Sequence, residues 1–499
     1  MAYHLSQTNQ HQDGLKYALL AAQSAAAEFN HRGAAEFYKQ AAQHWQALGD
    51  GVEWQTGLSI KQARVKMLLR LGQFDQAWNL ANEALQLCLD AGDLVPTLSI
   101  YNWMAQIRLR QARYAEVPGL AGKVIHSLLP DMPQKALGQA YLVWGQSLVA
   151  LADYPSAMEK LSRSELIFRS YGDPKLLIPV LIAQADLHNW QSSNEVGLTL
   201  MQETAVLLQN ETSPTLLGEH RLVLSQIQLH LGQAEQAFIS AETAVNNFRS
   251  AGANKLAHAL THRAAVLGYL GRFKAALVDL ERANDLFDGM EDAPGRLNLY
   301  LQWGVAFHGA QKDWRRARQR LLQVSHLLAA QPKDEGMVVQ KVVQLWLGLG
   351  NVALHTGRWP QAESLLQKAL TAVAPKRLVW WQPAAFYAWG MLLLTRPDGP
   401  ERETAVAEAH RYFRKGLQAV EAGGCPDELP LILLQLGLTA QEMNDERCGH
   451  YLETAVQAAH QRARQPDREF VLLEAGQALL RISSPHLQQL GKDTLQKIL

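Results

Sequence analysis

Cysteine is scarce: Cys88, Cys425 and Cys448 are the only three in 499 residues. They form no C-x-x-C pair and no histidine stands at a zinc spacing from them, so neither a disulfide frame nor a structural metal is implied. That scarcity points to a reducing compartment, the cytoplasm. Charge of one sign is lacking too, since Lys plus Arg and Asp plus Glu each number 47. Without a positive field the chain is a poor partner for nucleic acid or an anionic membrane. The one basic cluster, Arg315, Arg316, Arg318 and Arg320, is spread around one helix and reads as a solvated face. Long apolar runs are missing: the richest, 378–394, is interrupted by Gln382 and Pro383 and falls short of the roughly 20 residues that span a bilayer. Residues 1–12 are polar and do not form a secretory signal.

Catalytic motifs are absent as well. Gly491-Lys492 is followed by Asp493, so there is no G-x-x-x-x-G-K-[ST] phosphate loop. No serine lies in a G-x-S-x-G elbow, and no cysteine is flanked by a glycine-bounded nucleophile motif. His258 and His262 share a helix face at i, i+4, but Ala259, Leu260 and Thr261 stand between them and no H-E-x-x-H is formed. We therefore expect no enzyme activity, no metal and no cofactor.

What is present is a core and a period. Apolar residues make up 48% and charged residues 19% of the chain, a balance that supports folding throughout. The phrase LGQFDQA at 71–77 returns as LADYPSA at 151–157 and LGQAEQA at 231–237. Weaker copies run LGRFKAA at 270–276, AQKDWRRA at 310–317 and TGRWPQA at 356–362. Their closing small residues, Ala77, Val117, Ala157, Gly197, Ala237, Ala276, Ala317 and Ala362, are separated by 40, 40, 40, 40, 39, 41 and 45 residues.

Seven residues after each anchor comes another small or β-branched residue, from Ala84 and Val124 to Val324 and Ala369. An apolar residue at i+4 completes a helical stripe. Upstream, a second helix shows its own small position at Val65, Ala105, Gly145, Ala185, Ser225, Ala264, Val305 and Gly350. Each repeat therefore reads as a helical hairpin. The aromatic of the phrase (Phe74, Tyr114, Tyr154, Phe273, Trp314, Trp359) is expected to wedge between the two helices of its own hairpin. Gly49, Gly92, Gly172 and Gly252, each 15 residues past an anchor, mark helix ends.

Ala34 with Ala41, Ala409 with Gly416 and Gly449 with Val456 extend the ladder to about eleven hairpins. The array should occupy 1–467, with an irregular polar insertion at 396–402. Residues 468–499 should form helices capping its open end.

The phrase L-G-x-[FYW]-x-x-A followed by x-x-x-[LA]-x-x-A resembles the tetratricopeptide repeat family over roughly 34–456. The usual period there is about 34 residues, so the helices of this longer repeat should each gain half a turn to a turn. The resemblance implies an all-α, right-handed superhelical solenoid and a non-catalytic scaffold that binds a protein or peptide in its concave groove. The opening AYHLSQ, then LKYALLAAQSAAAEFNHRGAAEFY, is similar to the point where large signalling ATPases, maltose-activator-like and cyclase-linked, pass into sensor arrays. From that likeness comes a second reading, a regulatory module for a small-molecule ligand. With only about fifteen residues after Pro485, no DNA-reading domain is expected at the C-terminal end of this sequence. Neither reading gives an oligomeric state.

In arrays of this family the first helix of each hairpin lines the hollow. Directly after its small residue come Lys66, Gln106, Gln146, Asp186, Gln226 and Asn351, with Ala265 and Ala306 in the intervening copies. Four residues further lie Arg70, Arg110, Trp190, His230, Tyr269 and His355. This mixed column is the candidate partner-binding face, with solvent exposure or bridging between helices as the plainer alternative. The family's peptide clamp needs Lys and Asn four apart, a pattern that Gln62 with Lys66 does not match. Trp380, Trp381, Phe386, Tyr387 and Trp389 form a second concentration, either a buried joint or a docking patch.

Overall fold

The computed structural model describes residues 10–49, 52–127, 134–330, 339–374, 376–396, 401–462 and 464–498. The six-residue opening at 2–7 and most of the polar insertion at 396–402 lie outside them. Among the described residues there is no strand, and 24 α-helices pair in sequence into twelve antiparallel hairpins. The first four are α1 (His11–Ala27) with α2 (His31–Leu48), α3 (Trp54–Leu71) with α4 (Phe74–Asp90), α5 (Leu94–Arg110) with α6 (Val117–Ser127), and α7 (Lys135–Ala150) with α8 (Tyr154–Tyr171). Next come α9 (Pro174–Trp190) with α10 (Asn194–Leu207), α11 (Pro214–His230) with α12 (Ala234–Ala251), α13 (Ala253–Tyr269) with α14 (Phe273–Phe287), and α15 (Ala293–Gln302) with α16 (Trp314–Ala329). The last four are α17 (Val339–His355) with α18 (Trp359–Val373), α19 (Gln382–Thr395) with α20 (Arg402–Glu421), α21 (Leu429–Glu442) with α22 (Cys448–Arg462), and α23 (Gln465–Leu480) with α24 (Pro485–Gln496). The chain is an all-α helical-repeat solenoid, and α23 begins at Gln465, inside the break read from the sequence.

The small-residue ladder is the packing seam. Ala77, Val117, Ala157, Ala237, Ala276 and Ala362 are wholly buried. At Gly145 a Cβ would meet Leu161 Cδ2 at 2.7 Å and the Ala157 carbonyl oxygen at 3.4 Å, and at Gly350 it would meet Leu366 Cδ2 at 2.5 Å. Ser225 spends its hydroxyl on the Ala237 carbonyl, 2.6 Å away.

One register assignment needs correction. Val305 is 38% exposed, and the close-approach position in its hairpin belongs to Gly304, where a Cβ would meet Leu321 Cγ at 3.0 Å and the Ala317 carbonyl oxygen at 3.3 Å. The cause is a π-helical segment, Trp303–Gly309, that continues α15. It absorbs the one extra residue that makes this repeat 41 long.

The turn between the two helices of a hairpin explains the glycine of the phrase. Gly72, Gly232, Gly271 and Gly357 have φ of +70 to +79°. There the Gly72 N–H bonds Leu69 O and the Gln73 N–H bonds Leu68 O, capping the preceding helix. Ala112, Ala152, Ser192 and Lys312 hold the same left-handed conformation (φ +57 to +62°) without being glycine, at a cost of about 1–2 kcal/mol each. Part of that cost offsets the extra chain entropy glycine would lose. Ala112→Gly should therefore raise the urea midpoint, by about 0.5–1 kcal/mol of stability. An unchanged or lower midpoint would count against strain at this turn.

The turn aromatics do more than wedge inside their own hairpins. Phe273 meets Phe307 edge-on at 5.9 Å and Trp314 stacks on His355 at 4.3 Å, so each reaches the first helix of the following hairpin. The reason is positional: each is the first residue of its second helix, at the rim where the next hairpin stacks. Arg320 departs from the solvated-face reading, lying 3.6 Å over the Trp303 ring.

Contacts far apart in sequence show how tightly the solenoid coils. Glu291 N–H bonds the Gly72 carbonyl at 2.9 Å and its carboxylate accepts from the Asp75 N–H. Gln340 donates to the Tyr154 hydroxyl at 2.7 Å in a buried contact, and the Ser192 hydroxyl bonds the Gly423 carbonyl. Separations of 186, 216 and 231 residues, divided by the 40-residue period, put roughly five hairpins in one superhelical turn. Across successive turns α3 meets α13, and the hydrogen bonds just named are made by inter-helix turns and by helix starts such as Tyr154 on α8.

Candidate functional site

The column splits into two stretches that differ in what faces them. In its first part Lys66 and Arg110 are exposed, while Arg70, Gln106 and Gln146 are partly exposed. Among the described residues, the Gln106 and Gln146 amides and the Arg70 and Arg110 guanidinium groups have no hydrogen bond or ion pair. Lys66 lies 5.5 Å over the Trp103 ring of the next hairpin. These groups present polar atoms along the first helices at intervals of one hairpin.

In the second part the chain occupies its own groove. His230 packs against Trp380 with ring centroids 4.3 Å apart, and its Nδ1 donates to Asn189 Oδ1 at 2.6 Å. Burial, with nearby His262, holds the His230 pKa down at about 3. Trp380 is 6% exposed, and its carbonyl accepts from the Cys425 N–H at 3.0 Å. Tyr269 is buried beside Asp427, and burial pushes its hydroxyl upward. Asp186 accepts from the Trp190 indole, and burial raises its pKa to about 6. Gln226 and Asn351 are partly exposed, and His355 is taken up by Trp314.

The second aromatic group is a joint. Phe386 and Trp389 lie 6.3 and 6.2 Å from Tyr412, Tyr387 lies 6.0 Å from Phe413, and Trp380 leans inward onto His230. The 3-10 turn Lys376–Trp381 supplies the bend that aims it there.

His258 and His262 point to different partners. His258 Nε2 bonds Asp292 at 2.8 Å, and His262 Nε2 meets the Ser225 hydroxyl at 2.8 Å. Burial brings the His262 pKa down to about 4. Among the described residues no group of three or more His, Cys, Asp or Glu could hold a metal ion, and no helix is long and apolar enough to cross a membrane. A cavity of about 200 Å³ lined by Phe168, Pro174 and Leu207 lies at the inter-hairpin loops, away from the column.

Several residues of the hollow escaped the sequence reading. Lys255 pairs with Glu219 across two hairpins, and Lys341, its pKa lowered to about 8 by burial, donates to Asn298 Oδ1 at 2.7 Å. Arg464 bonds Glu428, whose carboxyl burial lifts to about 7 against the pull of Arg464. None sits in the aligned column. The period alone carried no signal for them.

No protein-family model matches the chain, and no curated protein sequence matches it. Solved structures do share the fold. The APC/C hetero-tetramer Cut9–Hcn1 aligns over 97% of this chain and 96% of that one, with a TM-score of 0.50 and 11% identity. A Rap protein complexed with competence and sporulation factor aligns over 73% of this chain and 99% of its own, with a TM-score of 0.52 and 11% identity. The apo form of the quorum sensor NprR from B. thuringiensis covers 72% and 97%, with a TM-score of 0.48 and 14% identity. At these identities the likeness is one of fold, a tetratricopeptide-like helical-repeat solenoid.

Proposed function

We propose that this protein is a non-catalytic interaction scaffold that takes an extended segment of a partner protein or peptide along the concave face of α3, α5 and α7. The observation that carries the reading is the contrast along the column. Gln106 and Gln146 stand partly exposed one hairpin apart with no partner among the described residues, whereas His230, partly exposed as they are, is engaged by Trp380 and Asn189. Amides at regular spacing suit the N–H and C=O groups of an extended backbone, which supply affinity without demanding one side-chain sequence. The fold agrees with such use, since the Rap structure holds competence and sporulation factor. The perturbed histidines are accounted for by packing and need no catalytic role.

Photo-crosslinking in the native host tests the reading. A crosslinking residue at position 106 or 146 should trap a defined partner, and one at Val278, which is 62% exposed on a second helix, should not. Equal adducts from both faces, or adducts from Val278 alone, would sink it. The alternative of a small-molecule sensor working with a signalling ATPase or cyclase rests on the opening sequence. Thermal-shift screening against sugars and nucleotides addresses it, and a flat response removes it.

A further inference from the structure

Hairpins one superhelical turn apart are not joined evenly along the array. In its middle they share one core, where Tyr154, Ala183 and Leu187 pack with Val343 and Leu347. The last two hairpins, α21 to α24, have a core of their own, built on Leu433, Leu452, Val471 and Leu472. They rest on the preceding turn through a thinner joint. Gly271, in the turn after α13, lies against Gln465 at the start of α23, and a Cβ there would stand 3.6 Å from Gln465 Cβ. Lys312, in the turn before α16, lies 5.6 Å from the centre of the Phe470 ring. Gln465 and Phe470 both remain exposed, so little apolar surface is closed off here.

A cluster of acids lies at the same joint. Arg464, next to Gln465, donates from Nη2 to Glu428 Oε1 at 3.2 Å, in the 3-10 turn Pro426–Glu428 before α21, and its Nε lies 3.7 Å from Asp467 Oδ2. The Glu428 side chain is 14% exposed, and its Oε2 is buried without a hydrogen-bond partner among the described residues. Asp427, beside it in the chain, adds a third carboxylate to the one guanidinium. The other titratable groups facing the cluster are Tyr269 at the end of α13, Tyr387 on α19 and the Cys425 thiol. Burial pushes all three upward, so they stay neutral. Burial works against the Arg464 charge, but Asp467, Glu428 and Asp427 raise its pKa and it stays charged. Glu428 is thus the group whose charge can change.

We infer that this joint is a proton-operated clasp: with Glu428 protonated the last two hairpins stay seated on the end of α13, and when it ionises they swing off and open the coil at its C-terminal end. Closed, the carboxyl is out of water and one of its oxygens has nothing to bond. Ionised, that oxygen needs water, which reaches it when the joint parts. Burial raises the Glu428 pKa from 4.5 to about 7, with Arg464 opposing and Asp427 adding to the rise. In the open joint the carboxyl is solvated and returns to the lower value. The closed joint therefore holds the proton more firmly: its contribution is complete below pH 4.5 and is lost as pH rises through about 7. Between pH 6 and pH 8 the open fraction should rise about tenfold. The separate core of α21 to α24 lets them move as a unit, while the shared core in the middle of the array stays closed. The clasp does not depend on what the hollow holds.

Hydrogen exchange on the full chain at pH 6 and pH 8, corrected for the intrinsic pH dependence of amide exchange, tests this. Peptides covering 267–272 and 464–470 should exchange about tenfold faster at pH 8 in wild type, while one covering 77–84 in α4 should not change. Glu428→Gln should exchange slowly at both pH values, because glutamine is neutral and still accepts from Arg464. A second variant, Gly271→Cys with Gln465→Cys, staples the joint, since 3.6 Å lies within the Cβ separation of a disulfide. Cysteine at 271 is tolerated because Ala112 and Ala152 hold the same left-handed turn without glycine. Oxidised, the stapled protein should lose the pH response, and reduction should restore it. Should Glu428→Gln fail to fold, the oxidised and reduced staple decide alone. A wild type whose two segments exchange alike at both pH values overturns the inference, as does a pH response that survives in Glu428→Gln or in the closed disulfide.

Discussion

Replacing Trp380 by alanine should destabilise the protein by about 3–5 kcal/mol and loosen its coil. The indole is 6% exposed and lies against His230, in a turn that precedes α19 yet touches the end of α11, 150 residues earlier. Truncation removes a large buried surface and the ring contact together, and the hollow is too polar to collapse onto the gap. Two readouts separate this from a generic core defect. Small-angle scattering should report a larger radius of gyration, because the wedge joins successive superhelical turns. The His230 pKa should move from about 3 back toward the ordinary range, since its depression comes first from burial. A small loss of stability with an unchanged radius and an unmoved histidine would show that the turns are held elsewhere.

That contact marks where the sequence stops being informative. The hairpins were legible because the interaction that makes them is repeated and short-range: Ala77, Ala157, Ala237 and Ala362 meet neighbours within one period, so each leaves the same mark. The succession of hairpins followed from that mark, and among the described residues twelve pairs stand where it gave about eleven and a capping segment. The pitch did not, because it is a sum of small rotations between hairpins, and no single residue encodes a sum. Gln340 and Tyr154, or Glu291 and Gly72, carry nothing that announces the other.

The candidate column suffered from the same limit. Its members lie along the first helices, but only the meeting of turns decides that Trp380 engages His230 while Gln106 has no partner among the described residues. Gly304 is an intermediate case. The 41-residue spacing hinted at one surplus residue, and a glycine stood beside Val305, but the π-helix that uses both is a backbone choice invisible to a side-chain pattern.

Asp186→Asn should stabilise the protein by about 2–3 kcal/mol at pH 8 and leave it unchanged near pH 3.5. Burial raises the Asp186 pKa from 3.8 to about 6, with the Trp190 indole opposing by bonding the charged form. A folded-state pKa above the unfolded one means that the folded protein holds the proton more firmly. The contribution is then present below pH 3.8, fades as pH rises through about 6, and is gone above it. Asparagine stays neutral throughout, still accepts from the indole, and removes that loss. His230 and His262 act in the opposite sense: their depressed values, about 3 and 4, cost stability as pH falls below 6.5. Both remain in each protein and cancel in the difference between variant and wild type, so urea midpoints compared at several pH values isolate the aspartate. A difference that is flat from pH 4 to 8 would mean the carboxylate is solvated. A difference that grows with pH would locate an unpaired, desolvated charge at Asp186.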